Sequence, residues 1–255
     1  MEQVNRVLQH AVRTIETSEA HETPFCHLRL SGVFPADIYA AMLEAMPVPS
    51  DYRRMSGRTK YTRTDEGGTR TKIDVFPEYI RHLPAHKKAI WRVISRVLCS
   101  PELGEAFRRR LAKPLEQRFG AAWRDVGVYP IPVLTRDVAD YEIGIHSDTK
   151  SKGMTIQLYL PRDRSTEHIG TVFHAKRADG NYERAYRMPF APNTGYAFAV
   201  GDDSYHSVDR VGPEVRTRDS ILLTYFLDNT AVYRTKNRLK RLANFLLNEM
   251  RQLGR

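Results

Sequence analysis

Three side chains in the second half of the sequence have the types and spacing to hold one metal ion. His146-Ser147-Asp148 is a His-x-Asp that closes the run Tyr-Glu-Ile-Gly-Ile-His. Residues two apart on an extended chain project to the same side, so this imidazole and carboxylate can grip one ion as neighbours. A third ligand must come from a distant segment, and His206, within Asp-Ser-Tyr-His-Ser-Val, opens a later run. Two His and one carboxylate leave coordination positions open, an arrangement suited to non-haem Fe(II) that must also bind a co-substrate and dioxygen. A His-x-Asp alone is ordinarily a surface pair, and its company gives it weight. Arg218 stands twelve residues beyond His206, at the head of Arg-Asp-Ser-Ile-Leu-Leu-Thr-Tyr-Phe. A guanidinium aimed into a core needs an anion, because an unpaired buried charge is prohibitive.

The elements that must position these residues come in two kinds. From residue 126 onward, β-branched and aromatic runs alternate with turn residues. Strands are predicted at 126–134, 141–146, 154–160, 171–175, 182–189, 195–200, 206–210 and 219–227. Short strands in series without intervening helices imply a sandwich or jelly roll. Before them, apolar residues at three- and four-residue steps predict helices over 2–19, 34–46, 87–99 and 101–119, with a short strand at 25–30. Residues 50–71, rich in Arg, Thr, Gly and Asp and without periodicity, read as a long loop. A basic helix over 232–253 carries Leu239, Leu242, Phe245, Leu246 and Met250 on one side, which reads as a core-facing stripe. The fold class is therefore mainly β with flanking helices. It comprises a helical portion (1–125), a jelly-roll core (126–228) and a C-terminal helix (229–255), in one catalytic domain.

Composition narrows the function classes. The 255 residues carry a formal charge of +10, with 41% hydrophobic and 27% charged residues, ordinary for a globular domain. The basic charge is spread along the chain rather than gathered, so no nucleic-acid partner is expected. No apolar stretch approaches the roughly 20 residues that cross a bilayer. The first residues lack an apolar signal segment. Cys26 and Cys99 are the only cysteines, too few for a disulfide framework, and a reducing cytoplasm is the expected compartment.

The order His146-x-Asp148, His206, Arg218 resembles the 2-oxoglutarate and Fe(II)-dependent dioxygenases, in particular their prolyl-hydroxylase-like branch. Met154-Thr-Ile-Gln-Leu-Tyr-Leu160 is similar to the strand that follows the His-x-Asp there, Gly170-Thr-Val-Phe173 to the Gly-containing strand after it, and Pro192-Asn-Thr-Gly-Tyr196 to the turn before the second His. The resemblance covers about 126–227 and implies a double-stranded β-helix. It also implies Fe(II) on His146, Asp148 and His206, and 2-oxoglutarate as co-substrate with its distal carboxylate on Arg218 and the Tyr159 hydroxyl. Arg216, ten residues after His206, competes with Arg218; Arg218 is preferred because the residues after it align with the family strand without a gap. Thr171 departs from the pattern, standing where many relatives carry a second Gly.

The implied reaction consumes dioxygen and releases succinate and carbon dioxide, commonly hydroxylating the substrate, though family members also desaturate, epimerise or cyclise. A small metabolite or biosynthetic intermediate is the expected substrate. The alternatives are a protein side chain as substrate, or a non-catalytic jelly-roll binding module. Arg58, Lys60, Arg63, Lys150 and Lys152 lie in loops expected to cover the barrel mouth, where Lys150, Lys152 and Arg58 would meet an anionic substrate. His82 and His86, separated by Leu-Pro-Ala, read as surface residues, and Trp91 and Trp123 as packed ones.

Overall fold

A computed structural model describes residues 1–55, 63–64 and 67–253. Six helices, α1 (Glu2–Glu16), α2 (Ala36–Glu44), α3 (Ala85–Leu98), α4 (Pro101–Arg110), α5 (Ala112–Phe119) and α6 (Ala231–Leu253), flank the sheets. The early strands are β1 (Glu19–His21), β2 (His27–Ser31), β3 (Arg53–Arg54), β4 (Arg63–Thr64), β5 (Gly67–Gly68) and β6 (Arg70–Asp74). The later ones are β7 (Val128–Asp137), β8 (Ile143–His146), β9 (Lys152–Tyr159), β10 (Val172–Lys176), β11 (Tyr182–Arg187), β12 (Thr194–Ala199), β13 (His206–Val208) and β14 (Arg218–Leu227). A large sheet in the order β1-β2-β12-β9-β14-β7-β6-β3 faces a small one in the order β11-β10-β13-β8, the two layers of a jelly roll. Every pairing is antiparallel.

Strand alternation divides the large sheet into two chemically different faces. On β9, Met154, Ile156 and Leu158 join Ile221, Leu223 and Tyr225 of β14 in the core shared with the helices, where Val7, Ala11 and Ile15 of α1 and Trp91 and Ile94 of α3 also pack. Removing each such aliphatic side chain from water contributes ~1.5–3 kcal/mol. The opposite face of the same strands carries Thr155, Gln157 and Tyr159 on β9 and Ser220 and Thr224 on β14, all buried. Tyr159, Tyr196 and Phe198 meet Phe173 and Val208 of the small sheet there, forming the second core, inside the roll. A strand buried on both sides with aliphatics on one face and polar and aromatic groups on the other is what a jelly roll packed on helices requires.

Three expectations are corrected. The helix predicted over 101–119 is two helices that meet at Leu111. Pro114 has no N–H for the carbonyl of Arg110 and sits instead in the first turn of α5, where that donor is not needed. The segment 50–71 is not all loop: β3 pairs with β6, and β6 pairs with β7 from Arg70 onward. Its inward residues, Arg70, Lys72 and Asp74, are charged, so hydrophobic alternation could not reveal it. Finally, the apolar stripe of α6 does not face the core. Leu239, Leu242, Leu246 and Met250 are 58%, 53%, 52% and 60% exposed, while Phe245 packs against Tyr79. Among the described residues no helix is long and apolar enough to cross a membrane.

Candidate metal centre

The sheet register brings the His-x-Asp and the distant histidine together. His206, first residue of β13, is the direct Cα partner of His146, last residue of β8, and their ring centroids are 4.3 Å apart. Asp148 lies two residues past His146, and the ligating atoms of His146, Asp148 and His206 all fall within 4.8 Å of one another. Among the described residues this is the one group of His, Cys, Asp or Glu side chains that could hold an ion.

Hydrogen bonding fixes how the two imidazoles present themselves. His146 Nδ1 lies 2.9 Å from the Gly144 carbonyl and His206 Nδ1 3.0 Å from the Ser204 carbonyl. A carbonyl only accepts, so each Nδ1 carries the hydrogen and each Nε2 is left with a bare lone pair. Burial pushes the His206 pKa down to about 4, the nearby His146 pushes the same way, and Asp148 only partly opposes them. His206 therefore stays neutral at ordinary pH.

Asp148 is kept ionised. Burial works against its charge, but the Lys152 ammonium, together with the Thr155 hydroxyl, helps hold the carboxyl below the usual carboxylate range. Thr155 donates to Oδ2 at 2.6 Å and the Lys152 ammonium donates to Oδ1. Thr155 reaches Asp148 because it is the first inward residue of the row Thr155, Gln157, Tyr159 on β9.

That row leads to the other predicted site residues. Gln157 accepts from the Tyr196 hydroxyl at 2.7 Å and donates to Ser220 Oγ at 2.9 Å. Tyr159 donates to Thr171 Oγ1 at 2.9 Å, and Arg218 Nη2 approaches the same hydroxyl at 3.4 Å. Tyr159 and Arg218 thus converge on Thr171, the residue that departs from the family pattern. Arg218 is fully buried and Arg216 is exposed. Four residues of strand, ~13 Å at the usual rise, separate the Thr155 end of the row from the Tyr159 end.

The anion that Arg218 needs is already present in the chain. Its Nη1 donates to Asp137 Oδ2 at 2.9 Å and its Nε to the Ile169 carbonyl at 2.9 Å. Asp137 also receives Nε and Nη2 of Arg70, at 2.5 and 2.8 Å. The requirement for an anion is thus met by a side chain of the chain itself. Neither Asp137 nor Arg70 was picked out from the sequence. Asp137 ends β7 on its inward face, a position that period-two counting from Val133 would have flagged, and Arg70 fell in the supposed loop.

The loop cations expected to bind substrate are placed as follows. Lys152 opens β9 rather than lying in the loop, and its ammonium faces Asp148. Lys150 is 83% exposed at its side chain and pairs with Asp202 at 3.2 Å. Arg58 and Lys60 lie outside the described residues, as does the side chain of Arg63. His82 is a surface residue paired with Glu249, and Trp91 and Trp123 are buried, as expected.

One cavity is lined by Asp148 itself and a second by the turn that follows it. The first, of about 760 Å³, is lined by Asp148, Asp202 and Asp203 and by Arg118, Lys150 and Lys176, its charges balanced. The other, of about 350 Å³, is lined by Thr149, Ser151, Lys152, Leu222 and Thr224 together with residues of β6 and α6.

No family model matches the sequence, and no curated protein matches it. Solved structures do match. SnoN, a non-haem α-ketoglutarate-dependent epimerase from nogalamycin biosynthesis, superposes with a TM-score of 0.50 at 12% identity, over 87% of this chain and 83% of that one. A prolyl-4-hydroxylase from Pseudomonas putida gives 0.48 at 14% identity, over 86% and 98%. An oxidoreductase of the 2OG-Fe(II) oxygenase family from Burkholderia pseudomallei gives 0.43 at 15%, over 86% and 89%. At such identities the likeness is one of fold: the chain shares the jelly roll of SnoN, and the resemblance drawn from the sequence is met at that level. Fold and site together define a helix-flanked jelly roll with a His-x-Asp…His cluster inside it.

Proposed function

We propose that the chain is a non-haem Fe(II) and 2-oxoglutarate-dependent oxygenase, a single catalytic domain that hydroxylates a small molecule. The observation that carries this reading is the convergence of two bare Nε2 atoms and one ionised carboxylate. That donor set fits a divalent ion of intermediate softness and leaves positions open for further ligands. His146, Asp148 and His206 would hold the metal. When bound, Fe(II) with 2-oxoglutarate and dioxygen supplies the oxidation, inserting one oxygen atom into the substrate and releasing succinate and carbon dioxide.

The residues of the chain supply orientation and exclusion of water. The Gly144 and Ser204 carbonyls lock both rings, and Thr155 fixes Asp148. Arg218, rather than Arg216, would anchor the distal carboxylate, with Tyr159 beside it. Three of the five N–H donors of Arg218 are engaged, which leaves donors for a planar carboxylate. The aromatic lining of Tyr159, Phe173, Tyr196 and Phe198 keeps this interior dry. Cavities of this size suit a small molecule better than a folded protein partner.

The test is succinate formation from 2-oxoglutarate with added Fe(II), in the parent and in His146→Ala and Asp148→Ala. Iron-dependent turnover in the parent and its loss in both variants is the expected result. No succinate after anaerobic reconstitution followed by oxygen would leave only a binding module.

A further inference from the structure

The smaller of the two cavities, at the turn that follows Asp148, has a charge that the described residues of its walls do not balance. Tyr233, Lys236, Asn237 and Lys240, at helical spacing on α6, close it on one side, and Lys72 and Asp74 of β6 on another. Lys152 completes the wall, so four ammonium groups face about 350 Å³ that contains one carboxylate. That carboxylate, Asp74, is already shared by Lys72 and Arg53, and Lys152 is held by Asp148. Lys236 and Lys240 have no carboxylate within ion-pair distance among the described residues. The Lys240 ammonium lies 4.8 Å from the centroid of the Phe226 ring, over an apolar wall of the cavity. Burial lowers the Lys240 pKa, and after the opposing pull of Asp74 the charges of Lys152 and Lys236 lower it further. Burial also lowers that of Lys72. Like charges that perturb one another across a small cavity favour an anion between them.

We infer that this cavity is the seat of a phosphate group on a small substrate, held by Lys236 and Lys240 with Lys72, beside the His146–Asp148–His206 cluster. Several point-charge ammoniums around one small cavity match the two negative charges of a phosphate ester, which lysine binds as a point charge, better than the single charge of a carboxylate. The cavity adjoins the metal cluster through Thr149, Ser151 and Lys152, which follow Asp148 directly, and through Thr224, the register partner of Thr155. Its inner end stops at Val133 and Leu222, four residues along each strand from Asp137 and Arg218. The substrate phosphate and the co-substrate carboxylate therefore occupy different ends of the roll. This deepens the oxygenase reading and rests on it only for the word substrate.

Pyrophosphate binding to the metal-free protein, followed by calorimetry at low salt, tests the site without any turnover. The parent binds one equivalent, and Lys236→Gln/Lys240→Gln weakens binding about tenfold or more with an unchanged melting temperature, since neither lysine has an ion pair among the described residues to lose. Arg92→Gln/Arg96→Gln on α3 removes the same charge elsewhere and leaves binding as it was. No binding in the parent, or equal losses in the two double variants, would overturn the inference. So would a matching loss of 2-oxoglutarate affinity in the metal-loaded α6 variant, which would assign the lysines to the co-substrate. Because binding needs no turnover, a failure to form succinate leaves this result standing.

Discussion

His146 and His206 face each other across β8 and β13 as direct register partners, each with Nδ1 on the carbonyl two residues before it. The same local device at both residues leaves each Nε2 as the ring nitrogen available to an ion beside Asp148. In 15N-histidine-labelled, metal-free protein near neutral pH, both residues are expected as the Nδ1–H tautomer. An Nε2–H signal for either would remove the preorganisation.

Thr155 holds the oxygen of Asp148 that Lys152 does not. Thr155→Val keeps the shape and deletes the hydroxyl. Loss of such a supporting partner costs roughly 10–100-fold in metal affinity, measurable by competition with a chelator, while the melting temperature moves little.

Arg216 and Arg218 are separated by burial, and Gln substitution separates them functionally. Arg218→Gln should raise the KM for 2-oxoglutarate about tenfold or more, since a bidentate charged contact is lost. It also costs about 3–5 kcal/mol of stability by breaking a buried pair. Arg216→Gln leaves KM and melting temperature within error. Steady-state succinate assays alongside thermal unfolding distinguish the two effects.

His27 on β2 is fully buried with Nε2 unpartnered, and burial pushes its pKa down to about 4. Its folded pKa lies below the unfolded value of about 6.5, so the unfolded chain takes up more protons in the interval between them. Stability is present above about pH 6.5 and is lost as pH falls toward about 4. The melting temperature of metal-free protein should drop across that window, and less steeply in His27→Phe, which packs among Phe25 and Phe173 without a proton to gain.

Gly170 precedes Thr171 where an added Cβ would lie 1.6 Å from the Met188 carbonyl oxygen, so only glycine allows that backbone approach. Gly170→Ala should displace Thr171 and with it the meeting point of Tyr159 and Arg218. A fall in melting temperature together with weaker 2-oxoglutarate binding is the expected pair of outcomes.

Much of this site was legible because spacing carries it. His-x-Asp needs only strand geometry, and the apolar run after Arg218 showed that its side chain must point inward. The jelly roll followed from serial short strands. What stayed hidden were charged inward faces: Arg70, Lys72 and Asp74 on β6 satisfy one another and Asp137, and no hydrophobic pattern records that. Lys152 looked like a loop cation because the i,i+4 relation to Asp148 spans a turn rather than a helix. The exposed stripe on α6 misled for the converse reason: periodicity shows that a face is apolar, not that anything covers it.

The claim on which the rest depends is one metal ion per chain at His146, Asp148 and His206. Anaerobic Fe(II) titration, with bound iron counted after desalting, measures it directly. The account predicts one equivalent in the parent and none retained in His146→Ala, Asp148→Ala or His206→Ala, each remaining folded by circular dichroism. Iron retained at parental stoichiometry in any of the three variants would contradict it.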